Sequence, residues 1–75
     1  MSVPADLTWD EFVGALEAVG FTEMSNSGGS HRTFIHANGK KLSGMVKPHS
    51  PPLVRRYLIR EAIAFLIEHN FIEGN

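Results

Sequence analysis

The apolar residues of this chain change their spacing twice, and that change restricts it to a fold with helices at both ends and strands between them. Trp9, Phe12, Val13, Leu16 and Val19 recur at helical spacing. In front of them Thr8-Trp9-Asp10-Glu11 matches a capping box, in which Thr8 accepts from the Glu11 amide and Glu11 reaches back. Asp10 and Glu11 suit the positive end of the helix dipole, and Gly20 supplies the left-handed residue after its last turn. Gly14 inside the helix costs about 1 kcal/mol against alanine, a cost that close packing on the sheet would explain.

From Phe21 to about Ser25 the pattern is extended, and Asn26-Ser27-Gly28-Gly29 is turn chemistry. His31 to His36, with Thr33, Phe34 and Ile35, reads as a second strand. Asn38-Gly39 is a hairpin signal before a third, Lys41 to Val46. Alternation puts His31, Thr33 and Ile35 on one face of the second strand and Arg32, Phe34 and His36 on the other. Both faces mix apolar and polar groups, so the pattern leaves open which one meets the helices. Lys47-Pro48-His49 ends the third strand, because proline has no amide to give to a ladder.

Ser50 then reads as an N-cap and Pro51 as the first residue of a second helix running to about Glu68 or His69, with Asn70 as its C-terminal cap. Leu53, Tyr57, Leu58, Ala62, Phe65 and Leu66 form its expected buried side, with Arg55, Arg56 and Arg60 outward. The expected architecture is one α+β domain over residues 1–75, ordered α-β-β-β-α, with two helices covering one face of a three-stranded antiparallel sheet.

A chain of 75 residues buries only about two-thirds of its unfolded surface. It has too little material to wall a large catalytic cavity, so any site is shallow and suited to a polymer or a protein surface. The absence of cysteine removes disulfides and thiolate metal sites. No apolar run reaches roughly 18 residues and no charged leader precedes an apolar stretch, so neither a membrane span nor a signal peptide is expected, and a cytoplasmic setting is.

The net charge of −1 conceals a strong segregation. Residues 31–60 carry all 7 Lys and Arg, three of the 4 histidines and no carboxylate, whereas all 8 acids lie in the two flanks. Surface solvation normally mixes the signs, so an unbroken basic segment points to an anionic partner, above all phosphate. Arg32, Lys40, Lys41, Lys47, Arg55, Arg56 and Arg60 are the candidate phosphate contacts. Gly28, Gly29 and Ser30 let backbone approach a phosphate closely, and their amides can form an anion nest.

His31 follows that turn. RNA is cut without metal when its 2′-hydroxyl loses a proton while attacking the adjacent phosphorus, which asks for a base near the working pH within hydrogen-bond reach. Histidine, at an ordinary ~6.5, meets that need. His36 and His49 are secondary candidates as proton donor or phosphate ligand, against simple solvation for His36 and local packing for His49. His69 suits a helix C-terminus. A zinc site is not expected, with no cysteine in the chain and no carboxylate in the basic segment. Trp9 and Tyr57 are aromatic enough to stack on bases, but both fall at helical core positions and are expected to be buried.

The chain resembles the HicA-type toxins of bacterial toxin–antitoxin pairs. The resemblance rests on the first helix ending in Val19-Gly20-Phe21, the turn Gly29-Ser30-His31, the Lys47-Pro48-His49 junction, and Arg55-Arg56-Tyr57-Leu58-Ile59-Arg60 leading to Phe65-Leu66. It implies a double-stranded-RNA-binding-domain-like fold, endoribonuclease activity on mRNA without a metal, His31 as the catalytic residue, and inhibition by a HicB-type antitoxin. Gly29, Ser30 and His49 join the seven cations as expected RNA contacts. Ser50-Pro51-Pro52 stands where that family more often has a glycine-containing loop. Two other readings accompany this one: a non-catalytic RNA-binding module of the same fold, and an interaction domain whose basic segment docks an acidic partner.

Overall fold

The first helix begins where its capping box places it. In the computed structural model, which describes residues 7–24, 29–49 and 52–74, the Thr8 hydroxyl accepts from the Glu11 amide at 3.2 Å. Glu11 Oε1 in turn accepts from the Thr8 amide at 3.0 Å. That backbone hydrogen bond, and then the bond from the Thr8 hydroxyl, hold the Glu11 carboxyl below its ordinary range. Helix α1, Trp9–Ala18, buries Trp9, Phe12 and Leu16. Gly20, at φ +103°, then turns the chain into strand β1, Phe21–Glu23.

Strand β2 is His31–His36 and β3 is Lys41–Val46, and the three strands form an antiparallel sheet in the order β1-β2-β3. A short turn closes the hairpin between β2 and β3. The His36 carbonyl accepts from the Gly39 amide, Gly39 sits at φ +93°, and Asn38 Oδ1 accepts from the Lys40 amide. The turn expected at Asn26-Ser27-Gly28 lies outside the described residues.

The ambiguity of the β2 faces is settled by Phe34, which is 0% exposed and packs on Trp9 and Phe12 with ring centroids 5.8 and 6.0 Å away. Arg32, Phe34 and His36 therefore face the helices. His31, Thr33 and Ile35 face away from them. A phenylalanine in such a place contributes about 3–5 kcal/mol relative to alanine, a large share of the ~5 kcal/mol margin at the low end for small domains.

Strand β3 departs from strict alternation. Its partners shift between Arg32 and Phe34, from Arg32↔Met45 to Phe34↔Leu42, so Thr33 opposes two residues, Ser43 and Gly44. Gly44, at φ +80°, supplies the left-handed residue of this bulge. The extra residue turns both Leu42 and Met45 to the core, although three positions apart they would otherwise point to opposite faces.

Helix α2 starts later than the sequence suggests. It spans Arg56–Glu68, with Arg55 at the N-cap and no side-chain cap; Ser50 and Pro51, the expected cap and first residue, lie outside the described residues. Residues 52–54 are not helical because they are already paired. Leu53 bridges Thr8, the Pro52 carbonyl accepts from the Trp9 amide at 3.0 Å, and Val54 donates to the Leu7 carbonyl at 2.8 Å.

The buried side of this segment differs from the expected one. Val54, Leu58, Ile59, Ala62 and Leu66 enter the core, Phe65 packs partly against it, and Leu53 and Tyr57 are exposed, contrary to expectation. Both helices contribute to one core with the inward residues of all three strands, α1 over β1 and α2 over β3. Asn70, at φ +62°, ends α2 in a Schellman arrangement, with Phe71 donating to Leu66 and Asn70 to Ile67.

Two glycines in and just after α1 behave in opposite ways. Gly14 is exposed and a Cβ there meets nothing within 4 Å, so the close packing expected of it is absent. Gly20 has both a left-handed backbone and the His36 ring against it, 2.7 Å from where a Cβ would stand. In urea unfolding, Gly14→Ala should raise stability by about 1 kcal/mol, and Gly20→Ala should lower it by about 1–3 kcal/mol.

The capping box carries a pH dependence of definite sign. Because the folded Glu11 carboxyl titrates below its ordinary 4.5, its stabilisation is full above that pH and fades as pH falls through the depressed folded value. The stability advantage of the wild type over Glu11→Gln should accordingly shrink on acidification, as read from thermal melts at a series of pH values.

Candidate functional site

The ladder between β2 and β3 extends by one bond beyond its last pair, and that bond assembles the site. His31 pairs with Val46, and the next amide, of Lys47, donates to the Ser30 carbonyl at 2.7 Å. The glycine-serine turn is thereby fixed against the Lys47-Pro48-His49 junction. Two adjoining hollows share Ser30, Lys47, Pro48 and His49 as walls. The larger, about 450 Å³, continues over Leu53, Arg55 and Tyr57 at the start of α2; the smaller, about 280 Å³, is completed by Gly29 and Arg32.

Among the described residues no carboxylate lines either hollow. Lys47 and Arg55 give the larger one its charge, and the start of α2 adds the positive end of a helix dipole whose first turn holds no acid. Arg56 and Arg60 continue the cationic surface along the exposed side of α2, one turn apart. Lys40 and Lys41 lie elsewhere. They sit at the β2–β3 turn at the opposite end of the hairpin, about 17 Å from His31 along the strand.

His31 is exposed at the first position of β2, on the face away from the helices. It is not itself a lining residue of either hollow, although its neighbours Ser30 and Arg32 are. His49 is exposed and lines both.

Arg32 has a different part. Its guanidinium reaches Glu23 at 3.1 Å and donates to the Gly29 carbonyl at 2.6 Å and the His31 carbonyl at 3.1 Å. It ties β1 to the turn that precedes His31, and much of its charge is answered by Glu23. His36 is likewise structural. Its ring packs on Phe21 and Phe71, with centroids 5.1 and 4.6 Å away, and its Nδ1 accepts from the Asn38 amide at 3.1 Å. His69 packs on Phe65 beside the C-terminus of α2.

Sequence reasoning raises Tyr57 for base stacking but sets it aside as buried, whereas it is exposed and lines the larger hollow. One signal is present: the residues one helical turn beyond it, Arg60 and Glu61, are both charged, whereas Leu58, Ala62 and Leu66 form an uninterrupted apolar stripe.

Among the described residues no three of His, Cys, Asp or Glu come together as metal ligands, and no helix is long and apolar enough to cross a membrane. The family model of the HicA toxin of bacterial toxin–antitoxin systems matches residues 9–68, four-fifths of the chain. The chain belongs to the HicA toxin family, and is thus the toxin of a toxin–antitoxin pair, which implies an antitoxin partner. No curated protein and no solved structure gives a significant match.

The Arg32 network predicts a stability effect separable from charge. Arg32→Ala should cost about 1 kcal/mol in denaturant unfolding, and Arg32→Lys should recover little of it, because an ammonium cannot span the Glu23 carboxylate and two carbonyls with a planar fork.

Proposed function

We propose that this toxin is an endoribonuclease that cleaves mRNA in the cytoplasm with His31 as general base. The observation that carries this reading is the Ser30–Lys47 bond, which sets the Gly29-Ser30-His31 turn beside Lys47, His49 and Arg55 while leaving His31 exposed to a polymer. His31 takes the proton of a ribose 2′-hydroxyl, and the freed oxygen attacks the adjacent phosphorus. The bond from phosphorus to the 5′-oxygen breaks, and that oxygen takes a proton from water. Lys47, Arg55 and His49 hold the phosphate and offset the charge that builds on it, an effect as important as proton transfer. The proposed step uses these side chains and water, and asks for no metal.

Gly29 and Ser30 bring backbone close to the phosphate, and Arg32 acts through them as a positioning residue. Arg56 and Arg60 meet the strand along α2. Lys40 and Lys41 meet a more distant stretch of the same polymer. A HicB-type antitoxin inhibits the toxin by covering this surface.

A second reading, an RNA-binding module that does not cut, is favoured by one observation: His31 does not line the hollows that hold the cations. Purified protein and its His31→Ala variant, incubated with RNA in excess chelator, separate the two. Cleavage should fall at least about a hundredfold in the variant, while RNA binding persists. Intact RNA from both proteins would support the module. With Lys47, Arg55, Arg56 and Arg60 engaged, log affinity should decline against log salt with a slope near ~3, from ~0.7 per phosphate. A flat salt profile is incompatible with either reading.

A further inference from the structure

Three large apolar side chains are exposed among the described residues, Met24, Leu53 and Tyr57, and two of them line the same hollow as Lys47 and Arg55. Tyr57 is 52% exposed and Leu53 36%. Leu53 is held at the surface by the extended pairing of residues 52–54 with 7–9. Tyr57 lies in the first turn of α2, to one side of the apolar stripe of Leu58, Ala62 and Leu66.

A flat aromatic ring in water, beside an aliphatic side chain and in a hollow with two cations, suits a ligand with an apolar plane attached to an anion. We infer that Tyr57, with Leu53, is a base-stacking subsite that takes one unpaired nucleobase while Lys47 and Arg55 hold its phosphate. This rests on the RNA reading above and adds a selectivity to it. Aromatic stacking accepts any base with an open face, and in a duplex interior both faces are already covered by neighbours. The subsite therefore favours a nucleotide in a loop or single strand. The hollow, at about 450 Å³, falls in the ~300–1,000 Å³ range of sites that enclose a small ligand. Two apolar side chains make a poor centre for a protein partner, whose footprint commonly covers about 800 Å² on each side.

The test uses wild type, Tyr57→Ala and Tyr57→Phe, each checked by circular dichroism and thermal melting. The probes are a single-stranded RNA carrying 2-aminopurine and a blunt RNA duplex of the same sequence. Wild type and Tyr57→Phe should quench 2-aminopurine on binding, and Tyr57→Ala should lose the quench and bind the single strand about tenfold more weakly. Affinity for the duplex should be the same for all three. Equal single-strand affinity and quenching in wild type and Tyr57→Ala would overturn the subsite while leaving the RNA reading intact. So would a variant that loses only antitoxin binding, which assigns Tyr57 to the protein interface. Failure of the wild type to bind either RNA removes the RNA reading itself.

Discussion

The parity of one strand governs this molecule. With Phe34 enclosed between the sheet and α1, every second residue of β2 is committed to the same side, and a slip of one position would reverse the whole strand. His31 is on the outer face because Phe34 is on the inner one. The same commitment aims Arg32 inward, where Glu23 and the Gly29 carbonyl meet it, and His36 inward, where Phe21 and Phe71 do. A hydrophobic decision made at the middle of the strand thus determines the chemistry exposed at its beginning.

Several elements are legible in the sequence because each is complete within a few residues. The Thr8–Glu11 box, the Asn38-Gly39 turn and the limits of β2 and β3 involve only near neighbours. What the sequence conceals is set by distant partners. Ser50-Pro51 has the form of a helix start, but Leu53 and Val54 are claimed by Thr8 and Leu7 from the segment leading into α1, and so helical structure waits until Arg56. The exposure of Leu53 follows from that displacement. The bulge at Gly44 is hidden for a related reason: glycine permits the extra residue, but only the pairing with β2 calls for it.

The basic segment is legible as a segment and less so as a surface. Seven cations gathered in one stretch of sequence are divided by the fold into a group around the Ser30–Lys47 junction and α2, a pair at the far hairpin turn, and one arginine bound to Glu23. Charge counting along a chain has no way to see this division, because strands carry residues apart at about 3.3 Å each while ladder bonds bring others together. The Gly29-Ser30-His31 turn and the Lys47-Pro48-His49 junction, well separated in the chain, meet through the bond from the Lys47 amide to the Ser30 carbonyl.

The bridge between Thr8 and Leu53 joins residues more than forty positions apart, and it has a consequence for the birth of the protein. Contacts of such separation form only after the entropy of closing the intervening loop has been overcome. The chain must therefore emerge at least through Val54 before the Pro52 carbonyl can meet the Trp9 amide and α2 can follow in its place. Nascent fragments that stop short of α2 lack Tyr57 and Leu58 from the wall of the larger hollow, so that hollow is finished only once the second helix is in place.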